Sequence, residues 1–342
     1  MTKVVTFGEI MLRLSPPGFE RFLQTPQFVA TFGGGEANVA VSLAHFGLES
    51  TYVTALPKNP LGDAAVRALR AEGVRTDRIV RSGTRLGVYF TEAGASQRAS
   101  TVLYDRAGSA ISDMPPDAVD WDTLFAGAGW FHVTGITPAL GANGAEATRR
   151  AIAAAGRAGA RVSVDLNYRK KLWSETQARE VMRPMMRGVD VVIANEEDLQ
   201  SVLGVEVPET NVTSGQLNLD GFRRAAEEVT KDFGASMVAI TLRESLSASD
   251  NGWSAALWDA GARTMVRSQR YDVRLVDRIG GGDSFAAGLI YGLITGRSPE
   301  EALRFGVGAS ALKQTIPGDF NRVTVEEVDR LIAGDASGRV QR

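Results

Sequence analysis

Short β-branched runs alternate with longer segments of helical period along most of this chain, and that rhythm restricts its fold more than any other feature. V-V-T-F (4–7), T-Y-V-T-A-L (51–56), W-F-H-V-T (130–134), V-S-V-D-L (162–166), V-V-I-A (191–194) and M-V-A-I-T-L (237–242) have the length and composition of buried strands. Between them A-N-V-A-V-S-L-A-H-F (37–46), A-A-V-R-A-L-R-A-E (64–72), A-E-A-T-R-R-A-I-A-A-A (145–155) and F-R-R-A-A-E-E-V (222–229) read as helices. Neighbouring parallel strands need a crossover, and a helix supplies it. The alternation therefore predicts an α/β sandwich with a mostly parallel central sheet. In such sheets ligands bind beyond the carboxyl ends of the strands.

Two stretches break the rhythm. Residues 10–32 carry Pro16, Pro17, Gly18 and Pro26, and residues 86–106 read as two alternating strands around a polar turn. Together they predict a small β-sheet set into the α/β body and able to cover a site as a lid. No linker or internal repeat divides the chain, so residues 1–335 read as one domain followed by a tail, 336–342.

Composition removes several function classes. The formal net charge of −2 marks neither a nucleic-acid binder nor a polybasic membrane protein. No apolar run reaches spanning length, and the N-terminus lacks the apolar core of a signal peptide, which makes cytoplasmic residence the expectation. The absence of cysteine excludes thiolate chemistry, and two histidines, His45 and His132, supply a metal site or triad poorly. The N-V-T triplet at Asn211 reads as chance. No lysine follows a glycine, so there is no P-loop. G-V-G-A-S-A (306–311) has dinucleotide-fingerprint spacing but lies in a helical pattern starting near Ser298-Pro299, which assigns it to helix packing.

The chemistry concentrates in glycine-rich stretches and strand ends. In D-R-I-G-G-G-D-S-F-A-A-G-L-I-Y-G-L (277–293), Gly280, Gly281 and Gly282 let backbone N–H groups approach a ligand, and a helix N-terminus is a natural anion site. Asp283 reads either as a helix N-cap or as a general base beside a phosphate cradle. In T-F-G-G-G-E-A-N (31–38), Gly34 and Asn38 suit a polyhydroxylated ligand, or a capped strand-to-helix turn. V-S-V-D-L-N-Y-R-K-K-L-W (162–173) sets Asn167 and Arg169 at a strand end, and I-A-N-E-E-D (193–198) sets Asp198 at the next. The acids there could complement a helix dipole or hold hydrated Mg²⁺.

G-G-G-E-A-N-V-A-V-S-L-A-H-F-G near the N-terminus and D-R-I-G-G-G-D-S-F near the C-terminus resemble the paired signatures of ribokinase-like, phosphofructokinase-B type carbohydrate kinases. Their order and separation fit, and the resemblance spans nearly the whole chain. G-I-T-P-A-L (135–140), D-L-N-Y-R-K-K-L-W (165–173) and A-N-E-E-D (194–198) resemble the 2-keto-3-deoxygluconate kinases within it. The resemblance implies a three-layer ribokinase-like sandwich, ATP and Mg²⁺ as cofactors, and a sugar acid as substrate. It makes Asp283 the base and Gly280–Asp283 the anion hole. It places Gly34, Asn38, Tyr89, Tyr104, Arg106, Arg169 and Asp319 at the sugar. At ATP it places Asn167, Arg169, Gly280, Gly282 and a strand-end loop containing Thr241, Arg243, Glu244 and Ser245. It gives Asp198 to Mg²⁺ through water, and allows a monovalent cation beside Arg278, where family members usually carry a small residue or proline. Two copies could pair through the lid. A fructokinase-like neutral-sugar kinase and a non-catalytic sugar- or nucleotide-binding protein are the alternatives.

Overall fold

The computed structural model describes residues 2–207 and 219–335. Asn211 and the tail 336–342 lie outside them. The strands are Lys3–Phe7 (β1), Met11–Ser15 (β2), Val29–Gly33 (β3), Glu49–Val53 (β4), Ala55–Leu56 (β5), Val80–Arg81 (β6), Val88–Glu92 (β7), Thr101–Asp105 (β8), Ala128–Thr134 (β9), Arg161–Asp165 (β10), Val191–Ala194 (β11), Met237–Ser245 (β12), Asp250–Asp259 (β13), Thr264–Arg267 (β14) and Tyr271–Arg274 (β15). The helices are Gly35–His45 (α1), Pro60–Ala71 (α2), Trp121–Phe125 (α3), Ile136–Ala139 (α4), Ala142–Arg157 (α5), Glu175–Met185 (α6), Glu196–Asp198 (α7), Leu219–Phe233 (α8), Gly281–Ile294 (α9), Pro299–Lys313 (α10) and Val325–Ile332 (α11).

The central sheet runs β14-β13-β12-β11-β10-β9-β1-β4, with β15 also paired to β13. From β12 to β4 every pairing is parallel, whereas β13 returns antiparallel to β12. Side chains alternate across the sheet, and both faces are apolar. Val5, Val192 and Val238 join one core with α5, α6 and α8, while Val4, Val191 and Ala239 join the other with α1, α9 and α10. This is the expected three-layer sandwich.

The two irregular stretches form a second sheet, β3-β2-β7-β8. Two local expectations change. The run 51–56 splits at Thr54, because its last two residues leave β4 to pair with β6. Residues 241–245, expected as a strand-end loop, are strand, and their backbone groups pair with β13 as far as Ser245 opposite Asn251. G-V-G-A-S-A lies inside α10, where Gly306 brings its helix against α9. A Cβ on Gly288 would stand 2.7 Å from Gly306 Cα. Among the described residues no helix is long and apolar enough to cross a membrane.

Candidate active site

Parallel strands β9, β10 and β11 end together at Thr134, Asp165 and Ala194, and the N-terminal ends of α1 and α9 meet beside them. Gly280 leads into α9 at φ +82°, and a Cβ there would lie 2.2 Å from the Asp319 carbonyl oxygen. Only glycine satisfies both conditions. Gly282 has open space where a side chain would be, so its backbone is accessible to a ligand.

Asp283 is the third residue of α9, and the N-cap is Gly280, which offers no side chain. The capping reading of Asp283 therefore falls. Its Oδ2 instead accepts a 2.7 Å hydrogen bond from Asn38 Nδ2, and Asn38 Oδ1 accepts from Gly34 N–H at 3.3 Å. Burial pushes the Asp283 carboxyl up to about 6, against the Asn38 hydrogen bond, which favours the charged form. Gly35 adjoins the same carboxylate, with its would-be Cβ 3.6 Å from Oδ1.

Asp319 lies against Gly280 and Gly33 beside these helix ends. Its Oδ2 accepts from Tyr89 Oη at 2.6 Å and its Oδ1 from Arg13 Nη1 at 2.7 Å. Arg13 Nη2 also pairs with Asp277 Oδ2 at 2.6 Å. Gly33 makes room, since a Cβ there would fall 2.0 Å from Asp319 Oδ2. Tyr104 stacks on Tyr89 with ring centroids 5.9 Å apart, and the Arg106 guanidinium lies 5.3 Å over the Tyr104 ring. Arg106 is not a free cation. Its Nε donates to Glu9 Oε2 at 2.7 Å, Nη2 bonds the same oxygen, and Ser109 Oγ donates to Glu9 Oε1.

Asn167 takes a left-handed φ of +40° and donates its N–H to Asp165 Oδ1, which exposes Arg169 just beyond β10. Asp198 is buried and spends both oxygens on the turn, accepting from Tyr168 N–H at 2.9 Å and Asn195 N–H at 3.2 Å. Burial raises its carboxyl to about 6. Asp165 is pushed well up by burial, then by Asp198 and Asp283, against Arg169 and the Asn167 N–H hydrogen bond. Among the described residues no group of three or more acids or histidines is placed to hold a metal alone. The local excess of carboxylates does fit a divalent cation that arrives with phosphates.

On β12, Thr241, Arg243 and Ser245 continue the face of Ala239 towards α9, by strand alternation. Glu244 belongs to the other face and takes Arg270 Nε at 3.0 Å, which removes it from Arg243's side. Burial, then the charge of Arg243, disfavours the Arg278 cation, and its Nε is buried without a partner. Arg243 and Arg278 therefore lie close enough to repel each other.

A family model for pfkB family carbohydrate kinases matches residues 1–321. The chain belongs to that family. This carbohydrate kinase is 35% identical over 337 residues, 98% of each chain, to the 2-dehydro-3-deoxygalactonokinase of Haloferax volcanii. It is 29% identical to the 2-dehydro-3-deoxygluconokinase of Bacillus subtilis, covering 94% of this chain and 93% of that one. The crystal structure of 2-dehydro-3-deoxygluconokinase from Thermotoga maritima superposes with a TM-score of 0.93 at 50% identity, covering 98% of this kinase and 100% of that chain. The ribokinase-like architecture expected from the paired signatures is therefore present. Sequence reasoning missed Arg13 and Glu9. Arg13 carried one signal, since the alternation of M-L-R-L-S puts it on the buried face with Met11.

Proposed function

We propose that this kinase transfers the γ-phosphoryl group of ATP to the terminal hydroxyl of a 2-keto-3-deoxy sugar acid, with 2-keto-3-deoxygluconate as the substrate. The observation that carries the chemistry is a carboxylate titrating at about 6, held by Asn38, inside the first turn of a glycine-led helix. A base with that pKa is ionised at neutral pH yet still basic enough to accept a hydroxyl proton.

As the substrate oxygen bonds the γ-phosphorus, its proton passes to Asp283, the bond from phosphorus to the bridging oxygen breaks, and ADP leaves. First-turn N–H groups of α9 carry the developing charge. Mg²⁺ bound with ATP would neutralise the phosphates near Asp165 and Asp198. Arg243 and Arg278 would grip the polyphosphate, and Asn167 and Arg169 would line its approach. Gly34, Asn38, Tyr89, Tyr104 and Asp319 would bound the sugar.

The sugar-acid assignment rests on the names of the relatives and on Arg169, an exposed cation with no acid in bonding contact among the described residues. The Glu9 pairing of Arg106 favours the second reading, a neutral sugar, because that charge is already compensated. Half-exposed Leu103 and Tyr104 on edge strand β8 support pairing of two copies through the lid. A coupled ADP-release assay decides the substrate. 2-Keto-3-deoxygluconate or its galacto epimer should exceed fructose in kcat/KM by at least roughly 100-fold, and a preference for fructose overturns the acid assignment.

A further inference from the structure

Lys313 is fully buried at the end of α10, and nothing in the chemistry above uses it. An ammonium is expensive to bury unless it is paired and hydrogen-bonded. Its Nζ donates to the carbonyl oxygens of Asp277, at 3.1 Å, and Ile279. Both belong to the loop that becomes the glycine cradle. The same end of α10 holds that loop at two further points. Ser310 Oγ donates to the Gly281 carbonyl at 2.7 Å, and the Gln314 carbonyl accepts from Val276 and Asp277 N–H. The carbonyls of residues 277, 279 and 281 are thus each bound by a donor from α10, which keeps their negative ends off an incoming phosphate.

Two converging carbonyls with the Asp277 and Asp319 carboxylates nearby make a cation site, and here the cation is covalently attached. The loop beside Arg278 is where the family resemblance allows a free monovalent ion, although Arg278 itself departs from the small residue or proline usual there. Lys313 already fills that electrostatic role, so the residues present do not fit a second cation there. Resting on the reading of Gly280–Asp283 as the phosphate cradle, we propose that Lys313 is a tethered cation that holds this loop in its anion-binding form and frees the kinase from any need for a monovalent ion.

The test compares potassium chloride with choline chloride at equal ionic strength, on three readouts: kcat, calorimetric affinity for a non-hydrolysable Mg-ATP analogue, and melting temperature. Wild-type kcat and affinity should agree between the two salts within about 2-fold, a margin far smaller than the loss of one anion-hole donor, and the melting temperature should be the same in both. Lys313→Met, which keeps most of the length and loses the charge, should lower kcat by roughly 100-fold with the sugar KM little changed. Lys313→Ala should regain about 10-fold in kcat on adding K⁺ or methylammonium, because the vacated cage again accepts a cation.

A wild-type kcat or analogue affinity that collapses in choline overturns the proposal, as does a Lys313→Met enzyme of near-native kcat. If the variants do not fold, the wild-type comparison decides. A protein that turns over no sugar acid but binds the analogue equally in both salts refutes the substrate assignment and leaves Lys313 in its role.

Discussion

Asp283 is held between opposing influences: burial raises its carboxyl and the Asn38 amide lowers it, with a balance near 6. Since the base must be ionised, kcat/KM should climb about tenfold per pH unit below 6 and flatten above it. A limb near pH 4 instead would mean that the catalytic carboxyl titrates at its ordinary value, unshifted by burial. Asp283→Asn keeps the shape and removes the proton acceptor, so turnover should fall on the order of 10² to 10⁴-fold with the melting temperature retained. Near-native kcat in that variant would reduce Asp283 to a bystander. Both partners of this pair were legible in the sequence, because glycine runs before helices announce anion sites. Their bond was not, for it joins positions 245 apart. Arg13 and Glu9 escaped for the same reason: Arg13 meets Asp319 across 306 positions and Glu9 meets Arg106 across 97. No local pattern encodes such encounters.

Among the elements, the lid shows what periodicity can and cannot deliver. The sequence placed Tyr89 and Tyr104 on adjacent strands, and they stand directly opposite in the β7–β8 register. Their surroundings differ. Tyr89 is 3% exposed and bound to Asp319, whereas Tyr104 is 43% exposed. Tyr104→Ala should therefore raise the sugar KM about 10-fold, roughly 1.4 kcal/mol, and barely shift the melting temperature. Tyr89→Phe leaves one oxygen of Asp319 without its donor and should destabilise by about 1–3 kcal/mol. Equal melting losses from both substitutions would assign both rings to packing alone. Strand β13 was illegible for a different reason. D-N-G-W-S-A-A-L-W-D is buried along nearly its whole length, so it shows no alternation, and its polar start resembles a turn. Missing it turned the last part of β12 into an expected loop and set Glu244 beside Arg243.

At the scale of the whole molecule, the layers were legible because each strand and helix declares itself locally, while strand order and the coupling between layers are set by tertiary contacts. Glu36 is one such coupling. Its Oε1 accepts from Thr134 N–H at 2.8 Å, Thr134 Oγ1 at 2.9 Å and Thr137 Oγ1 at 2.7 Å, tying α1 to β9 and α4. Gly8 after β1 must be glycine, since a Cβ there would lie 2.0 Å from Glu36 Oε2. Burial raises this carboxyl to about 7, against the three hydroxyl and amide donors. Between its unfolded value near 4.5 and about 7 the native state binds more protons than the unfolded chain. Stability must then fall as pH rises through that window and level off above it. Asp165, Asp198 and Asp283 are raised as well and act in the same direction. His132 acts oppositely below about pH 6.5, since burial pushes its ring down to about 3 and only the unfolded chain takes up that proton; one ring stands against four raised carboxyls. Denaturant midpoints should accordingly be higher at pH 5.5 than at pH 8. Glu36→Gln isolates the one group. The stability difference between wild type and variant should shift in the variant's favour as pH rises from 5 to 7, by at most about 1.4 kcal/mol per unit, then stay constant to pH 8. A difference independent of pH across that whole range would show that Glu36 is ionised throughout it in the folded protein, and the slope would belong to the acids of the active site.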